Sequence, residues 1–164
     1  GILTHNMSIF KDCEIRAYRQ IDSKALGKYE ADKRLVVDMP FVGKGNSKAN
    51  AEGWLRDAQY YWSEVIQKHP DAFSSFNKSI IEGKHPTLST PVNDKTFRSY
   101  FPQYDEKGLK GTQLIHHHIA GGGQAVAIPK PLHPGFGGVH NKEKYLGIWG
   151  SDSKYAELLE KFLK

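Results

Sequence analysis

The clearest pattern in the chain is the apolar spacing between residues 50 and 68. Trp54, Leu55, Ala58, Tyr61, Trp62, Val65 and Ile66 recur at three- and four-residue intervals before Pro70, which predicts an amphipathic helix. A second helix is expected from Asp71 to Glu82, stopped by Gly83 and Pro86, and a short one from Asn93 to Tyr100 ahead of Pro102. Near the end, Tyr155, Leu158, Leu159, Phe162 and Leu163 form one stripe behind Ser153 as a cap, predicting a helix over 151–164 that docks on the core. Period-two patterns predict strands in "MSIFKDCEIRAY" (7–18) and in the β-branched run "RLVVDMPFV" (34–42). Farther on, "TQLIHHHI" reads as a strand, "AGGG" as a turn, and "QAVAI" as a return strand closed by Pro129, together a β-hairpin.

The stretch from that hairpin to residue 141 holds five of the eight histidines. In a pleated strand, His116 and His118 point to one side and His117 to the other, so neighbouring imidazoles can do different work. Neutral imidazole is a ligand for divalent metals and a general base near neutral pH. Histidines converging from the hairpin and from the Pro/Gly-rich "PKPLHPGFGGVHN" would hold one ion with positions left for water, as catalysis needs. The plainer readings are a structural zinc clip or surface residues; a tag remnant does not fit a short internal run flanked by strand-like apolar residues.

Composition narrows the class. At 164 residues, with 38% hydrophobic and 25% charged residues, the chain is expected to form one globular domain with a real core. A lone Cys13 excludes an internal disulfide framework and cysteine-rich zinc motifs, so any metal is held by histidine, carboxylate or water. The net charge of +5 permits a polyanionic partner without specifying one. No apolar run approaches the roughly 20 residues of a membrane span, so no membrane role is expected of this domain. The abrupt "GILTHNMSIF" start suggests a domain from a longer polypeptide.

Elsewhere, "GKGNSKAN" (43–50) reads as a surface loop, its two lysines open to phosphate or simply solvated. "AGGGQ" offers an anion nest or a plain hairpin turn. His69 and His85, each before a proline at a helix stop, read as capping or surface groups. Trp54 and Trp62 fit a buried helical face, and Arg98, Lys110 and Lys130 flank the histidine segment as phosphate contacts or solvated charges.

"LIHHHI", "QAVAIPKPLH" and "GGVHN" resemble the HNH/endonuclease VII superfamily, the ββα-metal nucleases, and within it the bacterial polymorphic-toxin nucleases with a His-His signature. The resemblance is specific over 111–145 and looser back through "FNKSIIEGKHPTLS" and "FRSYFPQYDEKG". It implies an α+β fold: a ββα-metal (His-Me finger) core at 111–145, a helical scaffold at 49–110, a strand-bearing N-terminal extension at 1–48 and the C-terminal helix. It implies one divalent ion, Zn, Ni, Mg or Mn, held by His116, His133 and His140. His117 is then the general base and Gln124, standing where the family has Asn, orients it. His118, Lys130, Arg98 and Asn141 fall to the substrate side.

Besides Gln124 in place of Asn, two further features of this chain depart from the family. The seven-residue step from His133 to His140 contains Pro134, Gly135, Gly137 and Gly138, so the last ligand cannot sit one turn along an unbroken helix; His140, Asn141 or water would supply it. The triple histidine also admits a second register, with His117 as ligand and His118 as base. The implied activity is metal-assisted hydrolysis of DNA, or of RNA, with little sequence preference, by the toxic C-terminal domain of a secreted or contact-delivered bacterial effector acting in the target-cell cytoplasm. A cognate immunity protein would restrain it. A zinc-stabilised, non-catalytic nucleic-acid or protein-binding module is the alternative.

Overall fold

The structure, a computed structural model, describes residues 32–132. The strand expected at 7–18, the C-terminal helix at 151–164, and His133, His140 and Asn141 lie outside the described residues.

Three helices and a three-stranded antiparallel sheet make up the described part. The sheet contains β1 (Val37–Asp38), β2 (Leu114–His118) and β3 (Gln124–Pro129), with β3 in the centre. The helices are α1 (Ala58–Lys68), α2 (Ser75–Ile81) and α3 (Lys95–Tyr100). Each starts at a side-chain cap. Asp57 accepts from the Gln59 and Tyr60 amides, Ser74 from Asn77, and Asp94 from Phe97, satisfying amides that have no partner within the helix.

Two predicted helices are shorter than the apolar spacing suggested. Residues 50–57 are not helical: Trp54 forms an isolated bridge with Phe41, and Leu55 one with Ala49. Trp54 is buried all the same, its ring meeting Phe41 edge-on at 5.3 Å, so its apolar spacing reflects burial from a non-helical backbone. The segment from Asp71 to Glu82 splits into a 3-10 turn at Pro70–Ala72 and α2, because Phe73 is extended and Ser74 starts a new helix. Similarly, the run at 34–42 gives a 3-10 turn at Lys33–Leu35, the two residues of β1 and the bridge at Phe41.

The hairpin forms as expected, His116 facing Ala127, His117 facing Val126 and His118 facing Ala125 across the strands. Ala125 and Ala127 are fully buried, and their small side chains leave room for α1, whose Tyr61, Trp62 and Val65 join Leu35, Phe73, Phe97, Phe101 and Tyr104 in the core. Two core hydroxyls tie this packing to the backbone: Tyr61 donates to the Leu35 carbonyl (2.7 Å) and Tyr104 to that of Ala127 (2.6 Å). The start of β2 is fixed to the scaffold, since Leu114 N–H donates to the Pro91 carbonyl (2.8 Å) and Val92 bridges Gln113. Buried Asn77 in turn grips Val92 from both sides, donating to its carbonyl (2.9 Å) and accepting from its amide (2.8 Å). The hairpin is therefore tied to the scaffold by these backbone and side-chain bonds.

Candidate functional site

Strand pleating sorts the three adjacent histidines. His116 and His118 lie on the face toward α1, their rings 5.7 Å apart, and His116 stacks on Tyr61 at 5.4 Å with planes 19° apart. His117 is on the opposite face and only 2% exposed. Burial pushes its pKa down to about 4, so it is a neutral imidazole at pH 7.

His118 sits at the strand's end, where the chain turns through Ile119–Gly121. Its Nδ1 lies 2.8 Å from the Gly122 carbonyl; a carbonyl only accepts, so Nδ1 carries the proton. The lone pair of the neutral ring is then on Nε2, a buried atom with no hydrogen-bond partner among the described residues. Burial lowers the pKa of this ring too, helped by His117 and Arg56 and opposed by the backbone carbonyls of Gly122 and Leu55. This arrangement, one nitrogen fixed by a carbonyl and the other carrying a directed lone pair, suits an imidazole that must accept a proton or bind a metal.

Gln124 begins β3 and shares the face of His117, two residues from Val126 along the same strand. Its Nε2 donates to Asp38 Oδ1 at 3.4 Å, and its buried Oε1 has no hydrogen-bond partner among the described residues. Asp38 pairs with Gln124 across the sheet, placing a carboxylate on the face of His117 that the strand pattern alone did not reveal.

The flanking basic residues differ. Lys130 is exposed just past β3, its Nζ 3.4 Å from Gln113 Oε1. Arg98 is tied into the scaffold, donating to the Asn93 carbonyl and lying 3.6 Å from Asp105, which also pairs with Lys110 at 3.2 Å. His69 ends α1, and His85 Nδ1 accepts from the Thr87 and Leu88 amides, so both fit their expected structural parts. A cavity of about 420 Å³ beside the start of α1 is lined by Asp57, Trp62, Ile80 and His85 among others and includes none of the strand histidines.

Among the described residues no group of three or more His, Cys, Asp or Glu side chains is placed to hold a metal. The individual donors nevertheless suit a divalent ion: neutral buried imidazole at His117 and the carboxylate of Asp38 share one face, and His118 keeps an unprotonated Nε2. No described helix is long and apolar enough to cross a membrane.

The antiparallel hairpin carries the run of three histidines in β2. Residues 33–141 match the family model described as an HNH/Endo VII superfamily nuclease toxin with a HHH motif, and the chain belongs to that family. No curated protein and no solved structure gives a significant match. The mixed helices and small antiparallel sheet agree with an α+β fold of HNH type.

Proposed function

We propose that the chain is a metal-dependent endonuclease that hydrolyses DNA phosphodiesters with little sequence preference, as the toxic C-terminal domain of a secreted or contact-delivered bacterial effector. Its partners in this reading are DNA and a cognate immunity protein. Family membership supports the nuclease toxin, and the observation that carries the chemistry is the 2.8 Å bond from His118 Nδ1 to the Gly122 carbonyl.

That bond favours the second of the two histidine registers, with His118 as base and His117 as ligand. A base must present a fixed lone pair to water and then bear the proton it takes. His118 offers Nε2 for the first, and the Gly122 carbonyl stabilises the resulting imidazolium through Nδ1–H. His117, driven to a pKa of about 4 by burial, is poorly suited to hold a proton at neutral pH but well suited to give a metal its lone pair.

In this proposal His118 removes a proton from water, the water oxygen attacks phosphorus in line, and the P–O bond to the departing sugar oxygen breaks. His117 would hold the divalent ion with His133 and His140. The ion, when bound, supplies Lewis-acid stabilisation of charge on the phosphate. Gln124 steadies the His117 face, and Lys130 and Asn141 meet the phosphate backbone, a contact that positions the duplex without reading its sequence.

The test is cleavage of plasmid DNA and of structured RNA with Zn, Ni, Mg or Mn, together with calorimetric metal titration of wild type, His117→Ala and His118→Ala. The proposal expects DNA cleavage in wild type, intact metal binding but no turnover in His118→Ala, and metal affinity weakened at least tenfold in His117→Ala. Cleavage of RNA with DNA spared would reassign the substrate. Metal binding that only raises the melting temperature, without cleavage of either polymer, would point to the binding module instead.

A further inference from the structure

We propose that Asn50 is a positioning residue for His118, acting through the glycine turn that follows β2. The inference rests on the nuclease reading for its kinetic consequence, but not for its structural one.

The turn from Ile119 to Gly123 contains three consecutive glycines, and Gly121 has φ +77°, a region that L side chains rarely adopt. Such a segment has little preference for one conformation, yet it supplies the Gly122 carbonyl that fixes the ring of His118. Something outside the turn must hold it.

The holding group comes from a segment about 70 residues earlier. Asn50 Nδ2 donates to the Gly121 carbonyl at 2.9 Å. The same side chain's Oδ1 accepts from the amides of Glu52 (3.1 Å) and Trp54 (3.0 Å). With Oδ1 committed to two N–H donors, the amide is locked with its NH₂ toward Gly121; the flipped amide would set oxygen against oxygen. A second contact comes from the same segment. Trp54 packs so closely on Gly123 that a Cβ there would lie 2.8 Å from the indole ring. Met39 N–H also donates to the Gly123 carbonyl at 2.8 Å.

The path therefore runs from Asn50 to Gly121, through one peptide to Gly122, and from that carbonyl to His118 Nδ1. Asn50 holds no reacting atom. It sets where the lone pair on Nε2 points, the property on which a base depends most.

Asn50→Asp keeps an acceptor for the Glu52 and Trp54 amides and replaces the donor to Gly121 with a carboxylate oxygen, which the Gly121 carbonyl repels. Gly123→Ala disturbs the same turn from the Trp54 side. The readouts are the ¹H and ¹⁵N resonances of the His118 imidazole, kcat and KM for cleavage, and the thermal midpoint. Wild type should show a downfield Nδ1-bound proton, and both variants should lose it. kcat should fall about 10–100-fold, the range for disturbing a group that orients a reacting one. KM should stay within about twofold, with the protein still folded at the assay temperature.

An unchanged His118 proton in Asn50→Asp, or a kcat loss matched by loss of folded protein, overturns the proposal. Should wild type cleave no nucleic acid at all, the nuclease reading fails on its own. The imidazole resonances still decide whether Asn50 orders His118: their loss in Asn50→Asp supports it and their persistence refutes it.

Discussion

His69 of the scaffold and His118 of the hairpin use their nitrogens differently. At the end of α1, His69 spends both: Nε2 faces the Arg34 carbonyl at 3.3 Å and so carries the proton, leaving Nδ1 to accept from the Tyr100 hydroxyl at 3.1 Å. The ring also lies edge-on to Tyr100 and Phe101. His118 instead commits one nitrogen to a carbonyl and keeps the other for its lone pair. An imidazole with both nitrogens engaged is a structural tie; one with a single nitrogen engaged by a rigid acceptor is prepared for proton or metal chemistry. Residue type was the same in both places, and the second nitrogen made the difference.

The largest effect that would break this contrast lies in His117. Its folded-state pKa of about 4 is below the ordinary value of 6.5, so the unfolded chain takes up a proton that the folded chain refuses. The stability contributed by the neutral ring is complete above about pH 6.5 and is lost as pH falls toward 4, amounting to about 3 kcal/mol. Burial of His118 acts in the same direction. Urea melts of chelated protein at pH 7.5 and 4.5 should show that loss, and His117→Leu should flatten much of it. An equal pH dependence in His117→Leu would show that the proton uptake belongs elsewhere.

A smaller effect is expected on the scaffold side. His69→Ala removes two hydrogen bonds and two aromatic contacts and should cost about 1–2 kcal/mol in denaturant melts, leaving kcat unchanged. A kcat that fell with stability intact would erase the distinction between the two sets of histidines. Smaller again is Lys130→Ala. If Lys130 meets one phosphate, the slope of log affinity against log salt should decrease by about one, whereas Arg98→Ala, whose charge is used by Asp105 and Asn93, should leave that slope unchanged.

Much of this was legible in the chain. Alternation, a glycine-rich turn and a closing proline placed the hairpin, and the helical period with its stop signals at Pro70, Gly83 and Pro102 placed the ends of the three helices, though not their starts. The stretch at 50–57 was not legible as non-helical, because Trp54 and Leu55 satisfy the helical period while being buried and half-buried from an irregular backbone whose Gly53 has φ +97°. Periodicity reports burial, not the backbone that achieves it. The parity of the three histidines was likewise readable, since a strand alternates. Which side would be enclosed was not, because that depends on elements distant in sequence. Asp38 and Asn50 reach the histidine segment only through β1 pairing and a long-range side-chain bond, and no local spacing announces either, although an Asn three residues before a Gly is a turn signal.

The central claim is that one nitrogen of His118 is reserved for catalysis. The most direct measurement compares metal-supported plasmid cleavage by wild type, His118→Ala and His69→Ala, with folding checked by circular dichroism. The account predicts a fall of about 10²–10⁴-fold in His118→Ala with the fold retained, and a kcat in His69→Ala equal to wild type; full cleavage by folded His118→Ala would contradict it.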